Sequence, residues 1–248
     1  MLFRSIHVTL VRTPSLETTS IHHWYHVFAD GNWQHLVTEH VYALKHFGLY
    51  ALLDNVFFGI VGAPHNVELV EAHLKSLDIN FTICATADTG YEQVTQKHLW
   101  EFSLDNDGLC SYGHTKSASK PLQSGSFDDN WRKGMEWYNF CQWDEPVTAL
   151  LNGSRVAGCH WMSINHSGSE HHHNHPNQFG FFPGTFWWSW LDEIRKMGAP
   201  GEHNRYCAEH WIGQADPQLT MDHIHQINHP NISIGAYPHE ALSWYHPT

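Results

Sequence analysis

Positive charge is what this sequence has least of. Its 248 residues include 13 Lys and Arg against 25 Asp and Glu, a formal net charge of -12. A global basic footprint for nucleic acid is excluded, although a local patch could still be assembled. Long apolar runs are missing too. The longest, Val56 to Gly62, has the length of a strand, whereas a membrane span needs about 20 apolar residues. The opening segment MLFRSIHVTLVR has neither the apolar stretch nor the small-residue cleavage site of a secretory signal. These absences lead us to expect a soluble protein of the cytoplasm, or of the host cytoplasm for a viral chain. The five cysteines (Cys84, Cys110, Cys141, Cys159 and Cys207) are odd in number and form no CxxC pair. They read as buried free thiols, not as a disulfide framework or a zinc knuckle.

Hydrophobic residues make up 42% of the chain, enough for one substantial core. Histidine and tryptophan are abundant, at 24 and 12 residues. Three of the indoles crowd into the stretch GTFWWSW, Gly184 to Trp190. Neighbouring side chains diverge by about 100° on a helix and alternate faces on a strand. The rings of Trp187, Trp188 and Trp190 therefore cannot all enter one core.

Periodicity places the elements. Ile6 to Val11 and Trp24 to Phe28 read as strands, and Val56 to Val61 as a strand buried on both faces. Trp33 to Phe47 carries apolar residues at helical spacing, with Gly48 as its stop. Helix is expected at Val67 to Leu77, Tyr91 to Phe102, Trp131 to Trp143, Val147 to Asn152 and Phe186 to Met197. Strands are expected at Asn80 to Ala85, Gly108 to His114 and Arg155 to Trp161, with a short one at Ile232 to Ile234. Thr115 to Asn130 and His166 to Gln178 read as loops. The alternation argues for a single α/β domain with a largely parallel sheet. Ligands of such sheets bind beyond the carboxyl ends of the strands. The loops after the strands are therefore the segments to watch, among them His26 to Asn32, Ala85 to Tyr91 and His114 to Asn130.

Four constellations carry possible chemistry. SYGHTKSASK, Ser111 to Lys120, offers His114, Thr115 and Lys116 as donors for phosphate oxygens, and Arg132 could join them. On spacing alone the stretch reads more simply as a solvated polar loop. Glu209 in HNRYCAEHWIG stands among aromatic residues, as a general base or as a partner of Arg205. His171, His172, His173 and His175 could meet a transition metal, though the chain has no HExxH motif. Asp105-Asn106-Asp107 has a DxD form, and Asp128-Asp129 is a second acidic pair, of the kind that holds Mg²⁺ or Mn²⁺. A turn explains the first of these more simply.

Read in order, the motifs YGHTKS, DDNWRKGMEWYNF, PGTFWWSWLDEIRKMG and NRYCAEHWIG resemble a family of glycosyltransferase-like proteins of bacteria, phages and large viruses. Its pattern runs YxHTKG, NWRxxM, HxSGNFWW and RYxxExWI, and the resemblance spans Ile21 to Gly213. Two places depart from it. Ser117 stands for the usual Gly, and Pro183-Gly184-Thr185 stand for Ser-Gly-Asn.

The resemblance implies a GT-A-like Rossmann-type fold, with a nucleotide-sugar half over residues 1–130 and an acceptor half over 131–248. It implies transfer of a sugar, from a UDP-sugar above all, to a hydroxyl of a glycan or modified DNA base. Glu209 would be the base of an inverting reaction. His26, Tyr91, Glu92, His114, Thr115, Lys116 and Arg132 would hold the donor. Trp187, Trp188 and Arg205 would hold the acceptor, and the need for Mn²⁺ or Mg²⁺ stays open. Two other readings remain: a metal-dependent hydrolase built on the His-rich loops, and a carbohydrate-binding protein without turnover.

Overall fold

Seven strands form one twisted sheet flanked by helices, in a computed structural model that describes residues 15–121, 123–163, 180–202, 205–214 and 221–227. The elements begin with β1 (Ile21–Phe28), α1 (Trp33–His46), β2 (Asn55–Val61), α2 (Pro64–Ser76), β3 (Thr82–Ala87), α3 (Gln93–Ser103) and β4 (Leu109–His114). They continue with α4 (Phe127–Glu136), a π-helical turn (Trp137–Cys141), α5 (Asp144–Leu151), β5 (Val156–Gly158), β6 (Met162–Ser163) and β7 (Gly180–Phe181). The last are β8 (Trp187–Trp190), α6 (Leu191–Met197), α7 (Tyr206–His210), a 3₁₀ turn (Trp211–Gly213) and β9 (Ile224–Gln226). The order in the main sheet is β3-β2-β1-β4-β8-β5-β9, and β6 pairs with β7 apart from it.

Strands β3, β2, β1 and β4 run parallel, whereas β8 is antiparallel to both β4 and β5. The chain winds outward from β1 to β3, then returns to the other side of β1 as β4. The strand order therefore reverses between β1 and β4, and their carboxyl ends diverge there to open a crevice. Because β8 is antiparallel, its leading turn, Pro183 to Phe186, reaches that same edge of the sheet.

The α/β expectation holds, and the apolar spacing of α1 is the reason it was visible. Leu36, Val37, Val41 and Leu44, which define the helical stripe, are buried against the sheet. β2 is buried along all but its first residue, as a continuous apolar run requires. Gly59 lets α3 approach this strand. A Cβ there would stand 1.9 Å from the Thr95 hydroxyl oxygen, and Thr95 in turn meets His26 of β1.

Three expectations change. Phe186 to Met197 is not one helix, because Trp187–Trp190 is a strand and helix begins only at Leu191. On that strand Trp187 and Trp188 face opposite ways into two separate clusters and are both 0% exposed. Two-sided burial favours the strand over the local helical pattern. Asp192 and Glu193 in the first turn mark the true helix start. Within Thr115 to Asn130 the loop stops early, since α4 begins at Phe127 with the Ser126 hydroxyl accepting from the Asp129 amide. The strand expected over Arg155 to Trp161 shrinks to Val156–Gly158. The expected strands at Ile6 to Val11 and Ile232 to Ile234 lie outside the described residues.

Candidate active site

A cleft of about 460 Å³ opens at the crevice between β1 and β4. One side is the end of β1, with His26 and Phe28. Another is the segment Gly90 to Glu92 leading into α3. The loop after β4, His114 to Lys120, supplies the floor, and Asp128 and Trp131 of α4 close one wall. Gly184 and Thr185, ahead of β8, line the cleft together with Arg205, just before α7, and Glu209 within α7. Of the residues singled out from sequence, His26, Tyr91, Glu92, His114, Thr115, Lys116, Arg205 and Glu209 all line this one cleft.

Each is held differently. The Thr115 hydroxyl accepts from the Phe28 amide at 2.8 Å, and the Thr115 amide donates to the His26 carbonyl at 2.9 Å. Thr115 thus ties the ends of β1 and β4 together and is itself buried. His26 Nδ1 lies 2.8 Å from the Thr95 hydroxyl. Burial lowers the His26 pKa to about 4, against the raising pull of Glu92, so the ring is neutral at pH 7. Glu92 goes the opposite way. Burial would raise it, but hydrogen bonding and charge from His114, with His26, bring it down to about 2.

Lys116 is the cation that the fold leaves available. Its Nζ sits 3.9 Å from the centre of the Trp131 ring, and it has no carboxylate within 4.0 Å among the described residues. Burial lowers its pKa, while Glu209, Glu92 and Asp128 pull it back up. Lys120, at the rim, is already paired with Asp128 at 2.6 Å. Glu209 accepts from the Gly184 amide through Oε1 at 2.7 Å. Gly184 has φ +92°, and a Cβ there would stand 2.5 Å from the Met135 sulfur, so glycine is required at this bend.

Three expected site residues are elsewhere. Arg132 is buried and paired with Glu39 at 2.7 Å and Asp129 at 3.0 Å. On α4 the cleft-facing positions are Asp128 and Trp131, three residues apart, and Arg132 lies about 100° further round. Trp187 stacks on Tyr112 at 5.2 Å, and Trp188 donates its indole N–H to the Asn139 carbonyl at 2.8 Å. Neither is open to a ligand, and Trp190 is a packing residue that donates to Ser154. The aromatic surface of the cleft belongs instead to Phe28, Tyr91 and Trp131. Phe28 was legible as the last residue of β1, but nothing local shows its ring turned outward. Asp105-Asn106-Asp107 lies at the amino end of β4, away from the cleft, where Asp107 pairs with Arg195. Among the described residues no three His, Cys, Asp or Glu side chains are placed to hold a metal ion. The segment His171 to His175 lies outside them.

No protein family and no curated protein matches the chain. Among solved structures it is similar to 4-diphosphocytidyl-2C-methyl-D-erythritol synthase from Anaerococcus prevotii. The two are 9% identical over 90% of this chain and 94% of that one, with a TM-score of 0.41.

Proposed function

We propose that the protein transfers a sugar from a nucleotide-sugar donor, a UDP-sugar, to a hydroxyl-bearing acceptor with inversion. The observation that carries this reading is Lys116, a cation without a carboxylate partner, in one cleft with Glu209 at the strand-order reversal. A leaving diphosphate needs positive charge placed before the bond breaks. Lys116 supplies it, and Arg205 lines the same cleft. The other two cleft carboxylates, Glu92 and Asp128, contact His114 and Lys120.

The acceptor hydroxyl must lose its proton as it attacks the anomeric carbon. Glu209 is the carboxylate placed to take it. Its Oε1 is held by the Gly184 amide, which leaves Oε2 to meet the hydroxyl. The exposed rings of Phe28 and Tyr91 at the rim give sugar C–H faces a stacking surface. They take the role first expected of Trp187 and Trp188. The net charge of -12 favours a glycan over duplex DNA as acceptor. Free thiols at all five cysteines suit a reducing, cytoplasmic setting.

Thermal stabilisation by UDP-, GDP-, TDP- and CMP-sugars, each with Mn²⁺ and with EDTA, tests the reading. We expect UDP-sugars to raise the melting temperature in both conditions and Lys116→Ala to abolish the rise. No shift with any nucleotide, together with a shift on Zn²⁺ alone, would move the assignment to a metal-dependent hydrolase. Sugar binding indifferent to nucleotide and to Glu209→Gln would make it a binding protein.

A further inference from the structure

Lys116 rests on an aromatic ring in a cleft that also holds three carboxylates. Its Nζ lies 3.9 Å from the centre of the Trp131 ring. Glu92, Asp128 and Glu209 line the same cleft, and each is already engaged. Asp128 pairs with Lys120 at 2.6 Å, and Glu209 accepts from the Gly184 amide at 2.7 Å. Glu92 lies 3.1 Å from His114 Nδ1. The charges of all three act on Lys116 through space. Its stem is confined by Gly184 as well, where an added Cβ would stand 3.3 Å from Lys116 Cε.

The choice of tryptophan points to the face of the ring. Trp131 Nε1 is buried and has no acceptor among the described residues. A buried N–H without an acceptor carries a desolvation cost that phenylalanine would avoid. What tryptophan offers in return is the strongest π face for a cation. The ring is also fixed by its neighbours. Phe127 lies 5.8 Å from it between ring centres, and it packs against the cluster that includes Met135, Tyr138 and Trp188.

We propose that Trp131 is a positioning residue, whose face holds the Lys116 ammonium clear of the three carboxylates until the oxygens of a diphosphate take it over. A π face holds an ammonium less strongly than a charge-assisted bond to phosphate does. The cation therefore stays on the ring in the empty cleft and transfers when the anion arrives. A carboxylate partner would have to be displaced first. Confining the long lysine stem beforehand also lowers the ordering cost of binding. The contact itself does not depend on the glycosyl-transfer reading, but the assignment of the anion to a sugar donor rests on it.

¹³C–¹H NMR of the labelled protein reads the contact directly, because the current of an indole ring moves the signals of a methylene above its face upfield. The Lys116 signals are assigned by their loss in Lys116→Met. We expect upfield Lys116 Hε signals in the native chain, returning to the ordinary range as inorganic diphosphate is added. Ordinary positions in the free chain, or upfield ones that persist at saturation, overturn the proposal. Calorimetry then compares variants. Trp131→Leu should weaken the binding of inorganic diphosphate about tenfold. Trp131→Phe keeps a π face, so its loss should be about threefold or less. Equal affinity in the native chain and Trp131→Leu overturns the proposal, as does a native chain that binds no diphosphate. Should Trp131→Leu not fold, the titration of the native chain decides. The same titrations with UDP-sugars separate the two readings. Diphosphate bound through Lys116 with no nucleotide-sugar bound removes sugar transfer and upholds the positioning role. A UDP-sugar bound equally by the native chain and Trp131→Leu does the reverse.

Discussion

His40 Nδ1 lies 2.5 Å from Glu136 Oε1, with both side chains buried beneath the sheet. The contact is one end of a longer chain. His40 Nε2 meets His23 Nε2 at 2.8 Å, and His23 Nδ1 meets the Ser111 hydroxyl at 2.7 Å. With one proton on each ring and an ionised Glu136, one arrangement satisfies every atom. Ser111 donates to His23, His23 to His40, and His40 to Glu136. The chain joins β4, β1, α1 and the last residue of α4. Its ends should therefore be energetically coupled. We expect Ser111→Ala and Glu136→Gln each to cost about 1–3 kcal/mol, and the double variant to miss additivity by more than about 0.5 kcal/mol. Urea unfolding of the three variants measures this, and additive costs would mean independent pairs.

Acid should destabilise the fold well before the carboxylates protonate. His23 is pushed well below the usual histidine value by burial and then by His40, and His26 is pushed down to about 4 by burial. Below pH 6.5 the unfolded chain binds protons at these positions that the folded chain refuses. Stability therefore falls as pH drops from 6.5 toward 4. Each of the two adds a slope of about 1.4 kcal/mol per pH unit within its window. The Glu92 contribution is lost only lower, between 4.5 and about 2. Urea midpoints at pH 7, 6 and 5 should decline steadily. A flat profile would mean that these rings are protonated in the folded state.

The two departures from the pattern that the sequence resembles fall on strained backbone. Ser117 has φ +66° and Thr185 φ +60°. Left-handed geometry costs an ordinary L-residue about 1–2 kcal/mol, least for Gly and Asn. Gly and Asn are the residues that the pattern places there. Ser117→Gly and Thr185→Asn should each stabilise the fold by about 0.5–1 kcal/mol, after allowing for the flexibility that glycine adds to the unfolded chain. Melting curves would show rises for both, and a fall for either would place the side-chain contacts above the strain.

Trp188 and Lys116 should separate stability from binding. Trp188→Ala removes a fully buried indole and should cost about 3–5 kcal/mol in unfolding. Lys116→Met keeps an apolar stem against Trp131, so it should change stability by less than about 1 kcal/mol while removing stabilisation by nucleotide-sugars. A Trp188 variant that folds well but loses sugar binding would return that ring to the site.

How far the sequence could be read depended on the range of the interactions. α1 and β2 were legible because burial stamps a period on one contiguous segment. The loop His114 to Lys116 was legible because a polar stretch after a strand of a parallel sheet faces the ligand side. β8 was misread because its extended form comes from pairing with β4 and β5, partners some 30 to 80 residues away in sequence. Arg132 was chosen over Trp131 because charge was weighed before helical phase. The chain Ser111, His23, His40 and Glu136 left no local trace, since histidines occur throughout this sequence and only the fold selects these two.

The reversed direction of β8 also bears on how the molecule is assembled. Without Trp187–Trp190 paired to it, β4 would be the outer strand of a four-stranded parallel sheet, with a row of buried side chains and one unpaired edge. Such an edge is a template for association with other chains. In chain order His26, Glu92 and Lys116 come before β8, and Gly184 and Glu209 come with it or after it. Under the proposed reaction, a chain caught at this stage can grip a donor's phosphates yet cannot deprotonate an acceptor.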